Sequence, residues 1–181
     1  MDGRTQFKRI DLTLFTVLAI VSEYLAFHFI NIFSEAGFMI SFSFLLGLIA
    51  IYRWGAIGSV VYIGSGVVSL IMNYQSIDIT YQFLYYVVAN AAIVSTILMF
   101  RFFTKEDIKT KWFVLLLYML FPMLIIGLSK GLLIFIFEKN LHGFIDYFAS
   151  QLLTLVMTYI VLNIVIRIEG LFEDMKTYIR D

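Results

Sequence analysis

Long apolar runs, separated only by short polar breaks, occupy this chain almost from end to end, and that alternation decides the solvent in which it folds. The runs are Leu12 to Phe33, Phe38 to Tyr52, Ala56 to Met72, Tyr81 to Phe103, Trp112 to Phe137 and Phe144 to Ile166. A helix needs about 20 predominantly apolar residues to cross a hydrocarbon core about 30 Å thick, so each run is of the order of one crossing. Hydrophobic residues make up 61% of the 181, charged residues only 14%, and there is one proline, which excludes an ordinary water-soluble domain. The expected fold is therefore all-α: a polytopic membrane protein with six transmembrane helices in one bundle over residues 1–167, followed by a tail at 168–181. Glu23 and His28 make the first run too polar, and its length makes it too long, for a cleavable signal peptide.

Lysine and arginine placement sets the expected orientation, because short loops rich in them stay cytoplasmic. With both termini cytoplasmic, Arg4, Lys8, Arg9, Arg53, Arg101, Lys105, Lys109, Lys111, Arg167, Lys176 and Arg180 all fall on the inner side. Lys139 falls in an outer loop and Lys130 inside the fifth span. In the tail, Ile168, Leu171, Phe172, Met175 and Ile179 recur at helical spacing among charged residues, which predicts an amphipathic helix at the cytoplasmic interface.

The chain offers little for catalysis. It has no cysteine, and neither His28 nor His142 has a second ligand at metal-binding spacing. No nucleophile elbow or phosphate-binding glycine loop occurs; Gly64-Ser65-Gly66 lies mid-span, where small residues normally let helices approach closely. Thirteen basic and thirteen acidic residues cancel, which gives no pull toward nucleic acid. The expectation is a protein without cofactor, metal or enzymatic activity of its own.

What remains is a set of polar residues at membrane depth, which are functional candidates because hydrocarbon makes them costly. His28 and Asn31 occupy the outer part of span one, and Gln82, Tyr85, Tyr86 and Asn90 the outer half of span four. Lys130 lies in the outer part of span five, and Asp146, Tyr147 and Gln151 in that of span six. Tyr86 and Asn90 are four apart and share a helix face, as do Tyr147 and Gln151, so neighbouring helices can offer an aromatic ring and an amide to one ligand. Each has a plainer reading: Lys130 snorkelling or pairing with Asp146 or Glu138, the amides as interhelical glue, the tyrosines as an interfacial belt. Glu23, near the middle of span one with no cation at obvious depth, is read as protonated or facing the bundle interior.

The order of these features resembles the substrate-binding S components of energy-coupling factor (ECF) vitamin transporters. Arg9-Ile10-Asp11-Leu12 is similar to the basic entry into that family's first helix. The segment from Ile40 to Met72 resembles its second and third helices, joined by a turn of the type Arg-x-Gly; Tyr81 to Phe100 resembles the fourth, and Lys130 to Val165 the end of the fifth, an outer loop and the sixth. The resemblance implies a high-affinity capture subunit of a bacterial cell membrane. It would take a vitamin-like small molecule from outside and work with a transmembrane coupling subunit and two cytoplasmic ATPases. It also implies a small-residue docking face on the first helix, here the degenerate set Thr16, Ala19, Ser22 and Ala26. Thiamine-specific members carry a glutamate where this chain has Tyr85 or Tyr86 and an asparagine where it has Gln151, which argues against thiamine. The competing resemblance, from the structural class, is to the MreD-type membrane scaffold of cell-wall machinery, similar in size and helix count but with no need for a polar cluster around a cavity.

Overall fold

A computed structural model describes residues 3–32, 41–74, 78–168, 170–173 and 175. The predicted turn at 34–37 and most of the predicted tail helix, Ile179 included, lie outside them. Among the described residues there is no strand, and the architecture is that of a multi-pass helical membrane protein. The helices are α1 (Gly3–Ile32), α2 (Phe42–Trp54), α3 (Val60–Met72), α4 (Ile79–Phe102), the short α5 (Lys105–Thr110), α6 (Trp112–Glu138) and α7 (Leu141–Val165).

Among the described residues, five stretches are long and apolar enough to cross a bilayer: Thr5–His28, Phe42–Met72, Ile79–Phe102, Trp112–Glu138 and Ile145–Val165. The second contains two of the predicted runs, and it is not a straight rod. Gly55, at φ 67° and ψ −144°, ends α2 in a conformation that favours glycine, and a 3-10 turn (Gly55–Ser59) leads into α3. α3 then folds back on α2. The Phe44 and Tyr62 rings meet edge to face at 5.7 Å, and the position of a Cβ on Gly58 coincides with the Ala50 carbonyl. Each arm has 13 residues, about 20 Å of helix, so neither α2 nor α3 alone matches the thickness of the hydrocarbon core.

The surface is inverted relative to a soluble protein. Leu124, Leu128 and Leu132 on α6, and Leu152, Val156, Ile160 and Ile164 on α7, point outward at intervals of four, whereas Ser43, Arg53, Ser65, Asn90, Thr96, Lys130, Thr154 and Thr158 are buried. In lipid, association gains little from burying apolar surface, and close packing across small residues takes over. The chain follows that rule at Ala19 and Ala50, both fully buried, and at Gly47, Gly58 and Gly66. The core centres on Leu48, Ile51, Ile93, Tyr118, Met119 and Leu162, and the Tyr118 hydroxyl donates to the Leu48 carbonyl at 2.8 Å.

One end of the bundle is tied by Arg53. Its guanidinium donates to both oxygens of Asp11, at 2.8 and 3.0 Å, and to the carbonyls of Gly170 and Leu171 at 2.6 and 2.9 Å. Trp54 Nε1 donates to the same carboxylate at 2.5 Å. α1 begins at Gly3, ahead of the apolar run at Leu12, and places Asp11 on a formed helix where it meets Arg53. After α7 the described residues make a bend: Gly170 takes φ +79°, Arg53 holds the Gly170 and Leu171 carbonyls, Phe172 is buried against Tyr52 with rings stacked at 3.8 Å, and Met175 is again helical. Lys105 and Lys109 join the same end through Tyr52 and Glu173.

Candidate functional site

The opposite end of the bundle encloses a cavity of about 280 Å³ between α1, α3, α4, α6 and α7. Of the residues singled out in the sequence, Tyr85, Tyr86, Asn90, Lys130, Tyr147 and Gln151 line it. Three of them, Tyr85, Tyr86 and Asn90, come from α4, which is not a regular α-helix. At Leu84–Val88 its backbone opens into a π turn, with the Ala89 N–H bonded to the Leu84 carbonyl, and at Ala92–Leu98 it tightens into 3-10 geometry. A π segment adds a residue to one turn and rotates the side chains around it, a distortion common at functional sites. Here it sets Tyr85 and Tyr86 side by side at the cavity, with ring centroids 5.0 Å apart. Gly66 on α3 admits this bulge: a Cβ there would fall on the Tyr86 carbonyl and within 2.7 Å of Asn90 Nδ2.

Lys130 is 8% exposed and does not snorkel. Its ammonium lies 4.9 Å from the Tyr85 ring centroid and 5.6 Å from that of Tyr147, within the range of cation–π attraction. Among the described residues neither Asp146 nor Glu138 pairs with it. Asp146 is exposed, and Glu138 accepts a hydrogen bond from the Tyr81 hydroxyl at 2.7 Å. Asn90 is 4% exposed and its Oδ1 has no hydrogen-bond partner.

Glu23 faces the bundle interior, one of the two readings its sequence position allowed, and joins the site although it was not among the candidates. It lines the cavity that holds Lys130, so a cation does share its surroundings. Hydroxyls of Ser41 and Ser43 donate to Oε1 and that of Ser69 donates to Oε2 at 3.1 Å. Three donors are what a carboxylate needs when it leaves water. Tyr62, Ser69 and Asn73, also on this wall, were not anticipated. The signal available in the sequence was Glu23 itself, since an acid at membrane depth demands donors, and the serines of Ile40 to Ser43 and of α3 are the nearest supply.

Not all candidates converge. His28 is exposed and packs on Tyr24 and Phe27, with ring centroids at 4.4 and 5.8 Å. Asn31 lies on α1, but its side chain is outside the described set. Gln82 belongs to a more open vestibule with Asp78, Tyr81 and Glu138, which shares Asn73, Tyr85 and Tyr86 with the inner cavity. The small-residue face expected to dock a partner is turned inward. Ala19 is fully buried, the Thr16 methyl touches α3 at Gly64, the Ser22 hydroxyl accepts from the Phe42 N–H at 3.2 Å, and Ala26 lines the cavity. α1 needs small residues there because α2 and α3 lie directly on it.

The described residues contain no group of three or more histidine, aspartate or glutamate side chains able to hold a metal ion. The arrangement is suited to recognition: flat aromatic walls, buried amides, one ammonium and one carboxylate around a space of small-ligand size. No family model, curated protein or solved structure matches the chain.

Proposed function

We propose that the protein is a membrane-embedded capture subunit that binds a small water-soluble molecule in this cavity. The observation that carries the reading is the buried Lys130 ammonium, which has ring faces and no oxygen acceptor around it among the described residues, in an aromatic-walled space that Glu23 also lines. A purely structural bundle gains little from burying a lysine with no ion-pair partner, and the cost of leaving a buried polar group unpaired is about 1–3 kcal/mol, more for a charged one. A ligand that pairs with Lys130 recovers that cost.

The resemblance to ECF S components supplies the rest. The two arms of the α2–α3 hairpin then count as short crossings, each shorter than the core is thick and met by local thinning of the bilayer, giving six, with the Arg53 end and both termini in the cytoplasm and the vestibule open to the outside of a bacterial cell membrane. The substrate is a vitamin or related micronutrient, and transport requires a transmembrane coupling subunit with two ATPases. The inward-turned face of α1 argues for a docking surface other than Thr16, Ala19, Ser22 and Ala26.

Native mass spectrometry of the detergent-purified protein, followed by thermal shift against a panel of vitamins and their precursors, tests this. A co-purified or stabilising molecule whose effect is lost in Asn90→Ala and Gln151→Ala is the expected result. A silent panel, with cell-wall proteins and no ATPases recovered on mild purification, replaces the capture reading with the MreD-like scaffold.

A further inference from the structure

We infer that the cavity selects a small zwitterion, with its anionic group on Lys130 and its cationic or N–H-bearing group toward Glu23. This rests on the capture reading and narrows it to a ligand class.

The cavity holds one basic and one acidic side chain on different helices, Lys130 on α6 and Glu23 on α1. No ion pair joins them among the described residues, so the two charges are held apart. Their surroundings differ in kind. Around Lys130 the described neighbours are ring faces, which attract a cation but leave all three of its N–H donors without an oxygen acceptor. Around Glu23 there are three hydroxyl donors, which fix the carboxylate in place and leave acceptor capacity on its oxygens. Gln151 and Asn73 add amides to the same lining. The cavity thus offers donors on one wall and acceptors on others.

Net charge separates the ligand classes. A singly anionic ligand on Lys130 leaves the Glu23 carboxylate in excess within a poorly solvated space, and a singly cationic one on Glu23 leaves the ammonium in excess. A zwitterion meets both and keeps the occupied cavity neutral, which matters most where the effective dielectric is low. The volume, about that of nine liquid waters at about 30 Å³ each, and the Tyr62, Tyr85, Tyr86 and Tyr147 rings suit a compact body with a flat face.

Matched probes test the idea on the full-length protein in detergent. L-tryptophan, tryptamine and indole-3-propionate share a ring and differ in charge, as do L-phenylalanine, phenethylamine and 3-phenylpropionate. Thermal shift and titration with wild-type, Lys130→Met and Glu23→Gln protein, together with identification of any co-purified molecule, give the readout. In the wild type the zwitterion of a set, or a co-purified zwitterion, binds tighter than its singly charged relatives by about tenfold or more, the scale of one charge-assisted hydrogen bond. Lys130→Met removes the advantage over the cation, and Glu23→Gln the advantage over the anion. Equal or tighter binding of a singly charged member, or a co-purified molecule that is singly charged or uncharged, overturns the zwitterion and leaves the capture function standing. No shift with any probe and no bound molecule overturns both.

Discussion

Alanine at Gly66 adds a single methyl group, yet it lands where α3 meets the π segment of α4. The new Cβ overlaps the Tyr86 carbonyl and approaches Asn90 Nδ2 to 2.7 Å, in a region where α3 and α4 are otherwise in direct contact. A carbonyl on a helix cannot rotate away as a side chain would, so the backbones must part by about 1 Å to restore an ordinary contact, and a gap of that size forfeits a quarter to a half of the dispersion between the surfaces it opens. Overpacking of this kind costs about 1–3 kcal/mol. The same shift displaces Tyr86 and Asn90 from the cavity wall, so binding should fall by more than stability alone explains. Thermal unfolding in detergent and titration with whichever panel molecule stabilises the wild type would be measured side by side. Gly64→Ala, whose added methyl meets only the Thr16 methyl at an ordinary 3.4 Å, is the control and should change little. If Gly66→Ala unfolds with the wild-type midpoint and binds with unchanged affinity, the close approach of α3 to the π segment does not shape the site.

Two further outcomes follow from the opposite end of the bundle. Arg53→Met leaves the Asp11 carboxylate with Trp54 Nε1 as its one described donor and frees the Gly170 and Leu171 carbonyls, so it should destabilise by about 3–5 kcal/mol; adding Asp11→Asn should recover part of the loss in a double-mutant cycle of denaturation midpoints, and strict additivity would refute the pairing. The Thr104–Asp107 capping box should fade in acid: the Lys111 ammonium and the Thr104 hydroxyl and N–H hold the Asp107 carboxyl at about 2 against an ordinary 3.8. Because the folded value is the lower one, the contribution is complete above the ordinary value and disappears as pH falls through about 2. Hydrogen-exchange protection of the α5 amides should follow that course in wild type and be flat in Asp107→Asn.

Membrane residence and the limits of most helices are legible from apolar run length, because a bilayer sets that length independently of how the helices later pack. Tyr85, Tyr86, Asn90, Lys130, Tyr147 and Gln151 were found for a related reason: polar atoms at hydrocarbon depth carry a cost that is visible residue by residue. What run length and depth cannot carry is azimuth. They gave no means of telling that Thr16, Ala19 and Ser22 pack toward the chain's own α2 and α3 and Ala26 lines the cavity, or that His28 and Asp146 point away from the cavity their neighbours line.

The part decided by tertiary structure comes from interactions between residues far apart in the chain. Arg53 reads in sequence as a loop cation on the cytoplasmic side; only packing brings it beside Asp11 and the carbonyls at Gly170 and Leu171 and makes it a tie between α1, α2 and the start of the tail. Glu23 reads as an isolated acid until Ser41, Ser43 and Ser69 arrive from two other helices. The π segment of α4 has no local sequence signature, since its backbone is stabilised by what Gly66 lets α3 do against it. The sequence by itself determined a helical membrane bundle with polar groups at depth, because transfer of each residue into lipid is a local property. Which of those groups meet, and that an acid and a base end up in one cavity without touching, depended on helix rotation and close approach, which are properties of pairs of surfaces.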